Sequence, residues 1–470
     1  MTWYNIFQAT QVLFLAYFIS LSLGYLLLNV LAFFSLKLRI SNRSMEDSPH
    51  NHIGFELPIS LIAPAYNEEA TIAASIRSLL QLHYSEYEII VVNDGSKDNT
   101  LAVLQAEFEL VPFPEAYRRR LTVKHVRNIY RSTIYPNLKV IDKENGGKAD
   151  ALNAGINAAR HPLFCAMDAD SVLQRDSLRR LVVPFIEDPD TIVAGGTVRI
   201  ANGCDVRSGF LHNIGLPSNP IALIQVTEYL RAFLFGRLGW SPMNAVLIVS
   251  GAFGLFRKDV VVAAGGYRTD TVGEDMELIV RLHRTYLNRG EKYRIIFLPD
   301  PVCWTEAPES LKVLKNQRVR WQRGLAESLF LNRGLLFHRR GGAAAWLAFP
   351  FMLIFECFGP LLEVTGYVAL LVGYLFDLVS LEVAIALILI VQGFGLMIST
   401  SALLLEEMAF HMYPKAGSIG TLLAAGVIEN FGYRQLITFW RLLGLMKWLF
   451  KTQSKWGEMT RSSAWQKKKT

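Results

Sequence analysis

The polar residues with the types and spacing to do chemistry stand in a few short runs: "DAD" at 168–170, "NGGKAD" at 145–150, "GED" at 273–275 and "QRVRW" at 317–321. In an extended strand Asp168 and Asp170 point to the same face. Two such carboxylates repel unless a cation or donors sit between them. A hard divalent ion, Mg2+ or Mn2+, takes oxygen ligands and shares them with a diphosphate; the plainer alternative is a solvated loop with an Asp N-cap. Lys148 follows Gly146 and Gly147 and opens a helix. The helix dipole disfavours a cation there unless an anion shares the site. A Gly-Gly turn with an exposed lysine is the alternative, and the phosphate-loop pattern GxxxxGK[ST] is absent. Glu274 and Asp275 start an amphipathic helix. Dipole stabilisation explains acids there, and the same dipole would lower the acid's pKa and keep it ionised, as a general base requires.

In "QRVRW" two arginines sit within five residues, Arg323 follows, and the nearest carboxylates along the chain are Glu309 and Glu327. On a helix turning about 100° per residue, Gln317, Arg320, Trp321 and Gly324 share a face. Arg318 and Arg323 fall off it and are expected at lipid phosphates or solvent. A guanidinium with an amide suits a diphosphate, and an indole suits a sugar face. A juxtamembrane basic helix with a Trp anchor is the other reading.

The elements that must position these residues alternate. "PISLIAPAY" (58–66), "YEIIVVND" (87–94), "LKVIDKE" (138–144) and "PLFCAMDAD" (162–170) read as buried strands, with helical spacing after each of the first three. Asn67 is the expected N-cap of the first helix. Strand, helix, strand, helix predicts a doubly wound parallel α/β sheet. Ligands of such sheets bind outside the carboxyl ends of the strands, where Tyr66, Glu68, Asp94, Lys148, Asp168 and Asp170 stand. Alone, Asp94 reads equally as a turn former, Glu68 as a helix-start acid and Tyr66 as a packing residue.

The 470 residues are 51% hydrophobic, too apolar for a purely soluble chain of this size. Residues 11–36 carry no charge and are long enough to span a bilayer. No basic residue precedes them, which argues for an anchor over a signal peptide. Lys37, Arg39 and Arg43 follow, so the positive-inside rule puts the next domain in the cytosol, at an integral plasma-membrane location. A second apolar zone holds the spans 343–376 and 381–405, then an ambiguous 418–450 interrupted by Glu429, Arg434, Arg441 and Lys447. An outside start and a basic cytosolic end require an odd number of spans. Glu356 and Glu363, seven apart, would share a face of one helix bent by Pro350 and Pro360, where ionisable groups face a polar cavity or a partner. Trp346, Phe349, Phe358 and Tyr367 could add aromatic walls. The divisions are 1–45, an N-terminal transmembrane helix and basic flank; 46–310, a cytosolic α/β domain; 311–342, interfacial helices; 343–450, transmembrane and interfacial helices; and 451–470, a basic cytosolic tail. Four scattered cysteines suggest neither a zinc site nor a disulfide framework. The net charge of +7 clusters at membrane boundaries and in 118–131, without a nucleic-acid recognition pattern.

Taken in order, these residues resemble the processive, membrane-integrated family-2 glycosyltransferases, the cellulose, chitin, hyaluronan and poly-N-acetylglucosamine synthases. The resemblance covers about 58–325 and the flanking apolar zones. It implies a cytosolic GT-A (Rossmann-like) domain inserted between transmembrane helices. Tyr66, Glu68, Asp94 and Lys148 would hold the uridine end of a UDP-sugar. Asp168 and Asp170 would hold the metal and diphosphate, and Asp275 would be the general base. Gln317 and Arg320 would cover the diphosphate and Trp321 would line the acceptor site. Gly251, in "VSGAFG", would lie by the acceptor end. "GED" stands where many relatives have "TED". The implied reaction is inverting polymerisation of a β-linked polysaccharide, with UDP-N-acetylglucosamine ahead of UDP-glucose as donor. The partners are the UDP-sugar, the growing polysaccharide, the lipid bilayer and accessory export subunits. Transfer of one sugar to a lipid carrier, or non-catalytic polysaccharide export, are the rival readings.

Overall fold

The computed structural model describes residues 3–42, 56–207, 210–410, 412–413 and 416–451. The basic residue Arg43, the start of the 46–310 division up to residue 55, and all of the basic tail after Lys451 lie outside the described residues.

A long helix α1 (Trp3–Asn42) precedes the α/β domain. The first half of that domain runs β1 (Ile59–Ala65), α2 (Ile72–Leu79), β2 (Tyr87–Asp94), α3 (Thr100–Glu107), β3 (Leu110–Pro112), β4 (Val126–Ser132), β5 (Leu138–Lys143), α4 (Lys148–Ala158) and β6 (Leu163–Met167). The second half runs β7 (Val172–Leu173), α5 (Ser177–Glu187), β8 (Thr191–Ile200), the hairpin β9 (Asp205–Arg207) and β10 (Phe210–Asn213), and α6 (Pro220–Leu230). A π-helical segment Arg231–Arg237 follows, then α7 (Leu238–Trp240), β11 (Phe253–Arg257), α8 (Lys258–Ala263), α9 (Glu274–Arg289), β12 (Arg294–Thr305) and α10 (Leu311–Leu331).

The sheet has ten strands in the order β3-β4-β5-β2-β1-β6-β11-β8-β12-β7. Its nucleus is parallel: β5, β2, β1 and β6 are buried on both faces, as a sheet covered by helices on two sides requires, with charged residues buried in β5 beside its apolar ones. Beyond that nucleus the expectation of an all-parallel sheet fails. β11 lies antiparallel between β6 and β8, and β4 runs antiparallel to β5. An apolar strand buried on both faces does not report its direction, so the mixed sheet was not visible in the residue pattern. The result is the GT-A-like α/β domain set between apolar helices.

Two local expectations also fail. Asn67 is not an N-cap. It takes a left-handed backbone (φ 56°), and α2 begins after Thr71. Its side-chain oxygen accepts from the Lys97 amide at 2.8 Å and its own amide donates to Ser96 Oγ at 3.0 Å, so it pins the β1 loop to the β2 loop. The strand expected to reach residue 170 ends at Met167. Asp168 and Asp170 lie on a turn closed by the Ser171 amide on the Asp168 carbonyl at 3.1 Å, so a shared strand face is not what brings them together.

Among the described residues two helices are long and apolar enough to cross a membrane, at Ala9–Leu38 and Leu381–Ala409. The expected bent stretch 343–376 is a pair of helices, Ala344–Cys357 and Gly359–Leu375, at 44° to each other. The first member is π-helical at Ala344–Ala348, α-helical in α11 (Phe349–Phe351) and π-helical again at Met352–Cys357; the second is α12 (Gly359–Leu375). Pro360 has no amide to donate back along the helix, so the break falls just before it. Glu356 and Glu363 therefore stand on different arms. α13 (Leu381–Ala409) follows. The ambiguous 418–450 resolves into α14 (Ala416–Ile428) and α15 (Arg434–Leu449), parted at Phe431 and Gly432, whose backbones leave the helical region.

α10 crosses the start of α9 at a contact of two glycines. A Cβ on Gly324 would lie 2.8 Å from the Gly273 Cα, and a Cβ on Gly273 would meet Gly324 equally. "GED" in place of "TED" thus has a local physical reason: Thr would not fit at 273 unless α10 moved. Gly324→Ala should push the two backbones apart at a cost of about 1–3 kcal/mol, lowering the melting temperature of the detergent-purified full chain. A variant melting with wild type would show that the crossing is not tight.

Candidate active site

A cavity of about 1580 Å³ opens at the carboxyl ends of β1, β2 and β6, passes α9 and α10, and continues among α1, α12, α13 and α15. The residues to which the resemblance assigns a role line it: Tyr66, Glu68, Asp94, Lys148, Asp168, Asp170, Gly251, Asp275, Gln317, Arg320 and Trp321.

Lys148 is the first residue of α4 and its ammonium ion-pairs with Asp168. It also donates to the Gly251 carbonyl at 3.0 Å and lies 3.9 Å from Glu274. Burial works against this charge, but Asp168, Glu274 and Asp275 outweigh it and hold the lysine above its ordinary range. The exposed-lysine reading therefore fails. The turn before Lys148 is set by residues that sequence reasoning did not single out. Lys143, fully buried at the end of β5, lies 2.5 Å from Asp94 and 2.6 Å from Asp150. Asp94 also accepts from the Gly146 amide at 3.0 Å and the Gly147 amide at 2.7 Å. Asp94 is thus both a cavity residue and the anchor of the Gly-Gly turn. The "IDK" run ending β5 held the signal for Lys143, since a lysine inside an apolar strand needs a buried partner.

Asp275 is held at both oxygens. Oδ2 accepts from the Gly251 amide at 3.0 Å and Oδ1 from the Met276 amide at 2.8 Å. Its neighbour Glu274 is buried, and here the expected effect of the helix dipole is overruled. Burial, opposed by Lys148 and reinforced by Asp275, pushes Glu274 up to about 7. Glu68 accepts from the Thr71 hydroxyl at 2.8 Å, with its amide on Thr100 Oγ1 at 2.8 Å.

α10 places Gln317, Arg320 and Trp321 on the cavity as its face analysis expects. Gln317 is buried and its Oε1 finds no partner among the described residues. The off-face arginines do not go to lipid or solvent. Arg318 donates to Glu228 at 2.6 Å, and its guanidinium lies 4.7 Å from the centre of the Trp321 ring. Arg323 donates to Glu327 at 2.7 Å, and Glu327 accepts from Thr271 Oγ1 at 2.8 Å and the Val272 amide at 2.9 Å. Both arginines thus hold the site: one supports the indole, the other fixes the loop before Gly273.

Toward the apolar helices the wall includes Tyr25, Glu356, Glu363, Thr438 and Arg441. Glu356 accepts from Arg441 at 2.8 Å and bonds the Tyr25 hydroxyl; Glu363 accepts from Thr438 Oγ1 at 2.9 Å. Trp346, Phe349, Phe358 and Tyr367 do not line the cavity, because Phe349 is buried between helices and Trp346 packs outward on Phe337; Phe18, Trp240 and Phe351 line it instead.

Among the described residues no cluster of three or more His, Cys, Asp or Glu could hold a metal unaided. Asp168 and Asp170 supply only hard oxygen donors, which suits a divalent cation that shares its remaining positions with phosphate oxygens and water.

Residues 60–262 match the family described as Glycosyl transferase family 2, and residues 163–398 match Glycosyl transferase family group 2. The poly-beta-1,6-N-acetyl-D-glucosamine synthase of Staphylococcus aureus (strain COL) is 31% identical over 317 residues, 67% of this chain and 65% of the relative. The enzyme of the same name from Staphylococcus epidermidis is 30% identical over 307 residues, 65% of this chain and 63% of the relative. The chain thus matches somewhat less than two thirds of the length of these curated relatives. A mannosyltransferase of Pyrobaculum calidifontis, solved with GDP-Man and Mn2+, superposes with a TM-score of 0.48 at 17% identity, covering 92% of this chain and 100% of that one. Staphylococcus aureus TarS in complex with UDP-GlcNAc gives 0.37 at 16% identity, covering 81% of this chain and 92% of that one.

Glu274 makes the site pH-sensitive. Its folded pKa is raised from 4.5 to about 7, so the stability tied to its proton is full below 4.5 and lost as pH rises through about 7. Glu274→Gln should remove that decline, worth up to about 3 kcal/mol. Melting temperatures of wild type and variant across this pH range check it; parallel curves would show that Glu274 does not titrate there.

Proposed function

The chain belongs to the family 2 glycosyltransferases, and from that premise we propose that it is a membrane-embedded enzyme polymerising a β-linked polysaccharide from a UDP-sugar, UDP-N-acetylglucosamine before UDP-glucose. One observation carries the reading: the motif residues line a single cavity that continues among apolar helices. The names of the Staphylococcus relatives favour N-acetylglucosamine as the sugar.

In the proposed reaction Tyr66 and Glu68 flank the nucleoside and Asp94 holds the Gly146–Gly147 turn beside it. Lys148, Gln317 and Arg320 meet the diphosphate. Asp168 and Asp170 would hold Mg2+ or Mn2+, whose charge offsets that of the departing diphosphate. Asp275 takes the proton of an acceptor hydroxyl. The acceptor oxygen then bonds to the anomeric carbon as the bond to UDP breaks, inverting that centre. Gly251 bonds Asp275 and Lys148 at once and so sets base and cation relative to each other. Trp321, backed by Arg318, offers its indole to the acceptor sugar.

If the bent pair crosses as one span, α1, the pair and α13 give three among the described residues, an odd number as an outside start and a cytosolic end require. The α/β domain is then cytosolic, and the cavity leads product into the membrane helices, where accessory export subunits would take it up.

The test incubates purified full-length protein with a panel of UDP-sugars and reads UDP release and product mass. Polymer from one UDP-sugar, abolished by excess chelator, is expected; a single-sugar lipid product or chelator-resistant turnover would overturn the reading. Asp275→Asn should keep UDP affinity by calorimetry while turnover falls roughly 10²-fold or more. Near-normal turnover would reduce Asp275 to a helix-start acid.

Glu363 tests the conduit. Glu363→Gln should preserve the fold and single-sugar transfer but shorten the polymer. A lower melting temperature with unchanged product length would make this acid only a structural partner of Thr438 and Tyr17.

A further inference from the structure

Two arginines end the π-helical segment Arg231–Arg237, and they differ in a way the reaction above does not use. Arg231 is paired: Nη1 donates to Glu429 at 2.5 Å and to Ser399 Oγ at 2.6 Å, and Nη2 bonds Glu429 as well. Arg237 is not. Its Nε and Nη1 are buried and find no hydrogen-bond partner among the described residues. The guanidinium carbon lies 3.7 Å from the centre of the Phe233 ring. That contact holds the plane of the group but leaves the N–H edges unsatisfied, since a ring face is a weak substitute for an oxygen acceptor.

Arg237 also lines the cavity, with Tyr229, Phe233, Trp240 and Asp275. Burial lowers it to about 10, against the pull of Asp275 and Tyr229, so it remains a cation at neutral pH. A partly buried cation with two buried, unmet donors is unfavourable for the fold. Such groups persist where a ligand completes them, and π-helical turns recur at such places. The class of ligand follows from position. The diphosphate already has Lys148 and Arg320 at the carboxyl ends of the strands. The segment bearing Arg237 packs instead on α1 and α13, toward the membrane helices. The surrounding rings suit the apolar faces of a sugar, whose hydroxyl or acetamido oxygens are the acceptors that the guanidinium lacks.

We propose that Arg237 is an acceptor-binding residue, donating hydrogen bonds from Nε and Nη1 to oxygens of the saccharide on the membrane side of Asp275. The inference rests on the polymerase reading for the identity of the ligand. Its test measures binding, so the two can fail separately. A β-linked N-acetylglucosamine oligosaccharide is titrated calorimetrically into the full chain, beside a UDP titration and melting curves without ligand. Arg237→Gln should weaken oligosaccharide binding about tenfold or more and leave UDP affinity within about twofold. It should not lower the melting temperature, because it removes a cation whose Nε and Nη1 are buried without a partner among the described residues. Arg237→Lys, which keeps a cation but loses the planar fork, should bind between the two; it decides the matter if the Gln variant does not fold. Unchanged oligosaccharide affinity in either variant overturns the inference, as does a wild type that binds no oligosaccharide. A fallen melting temperature with normal affinity makes Arg237 structural, and an equal loss of UDP affinity moves it to the donor. Wild type that binds the oligosaccharide but does not extend it breaks the polymerase reading and leaves the Arg237 comparison standing.

Discussion

The ammonium of Lys148 is the point on which the site turns. It sits at a helix start, where the dipole disfavours a cation, and only 13% of its side chain is exposed, which disfavours any charge. It is stable there only because Asp168, Glu274 and Asp275 come from other parts of the chain to surround it. That requirement ties the end of β6, the start of α9 and the Gly251 loop to the start of α4. A second buried ammonium, Lys143, fastens the preceding turn through Asp94 and Asp150. Neither carboxylate set could be packed so closely without its lysine, and neither lysine could be buried without its carboxylates. In the proposed reaction a phosphate entering beside Lys148 would meet a cation whose place is already fixed, leaving little reorganisation for the moment of reaction.

The same logic joins the α/β domain to the apolar helices. Arg199 at the end of β8 pairs with Glu406 in the last turns of α13, both almost fully buried. Arg231 pairs with Glu429 between α14 and α15. Buried ion pairs contribute little net stability over apolar packing, because desolvation consumes most of the attraction. Breaking one is costly, since the remaining charge is stranded. Such pairs therefore select one docking of domain on helices and penalise every slipped alternative.

Much of this was legible in the residues. β2 matches its expected bounds, 87–94, and β5 stops one residue short of its own. Asp168, Lys148, Asp275 and the Gln317 face of α10 all reach the cavity, because each sits at the end of a strand or on a regular helix, where local pattern fixes direction. What escaped depends on tertiary contact. Strand direction in β11 leaves no mark in an apolar run. Arg318 and Arg323 looked unpaired because their carboxylates are Glu228, distant in sequence, and Glu327, one turn on, whose pairing a facing analysis does not weigh. Glu274 was expected to ionise easily from its helix position alone, and its burial beside Asp275 is a property of the folded site. The break before Pro360 was anticipated, but not that it would part Glu356 from Glu363.

That break carries a constraint of its own. A helix interrupted in lipid exposes carbonyls that nothing in the hydrocarbon can satisfy. Here the Cys357 carbonyl accepts from Gln322 Nε2 at 2.9 Å, and the Glu356 carbonyl from Gln322 at 2.9 Å and Arg441 at 2.7 Å. Arg441 in turn donates to the Gln322 side-chain oxygen at 2.8 Å and to the Glu356 carboxylate at 2.8 Å, so amide and charge are both matched. Gln322 is the neighbour of Trp321 on α10. The bent helix can exist only where α10 and α15 reach it, and α10 can present Trp321 to the cavity only in the register that puts Gln322 under the break. The indole on the cavity and the bend between the two apolar helices are held by one set of hydrogen bonds, so a displacement of either must be shared by the other.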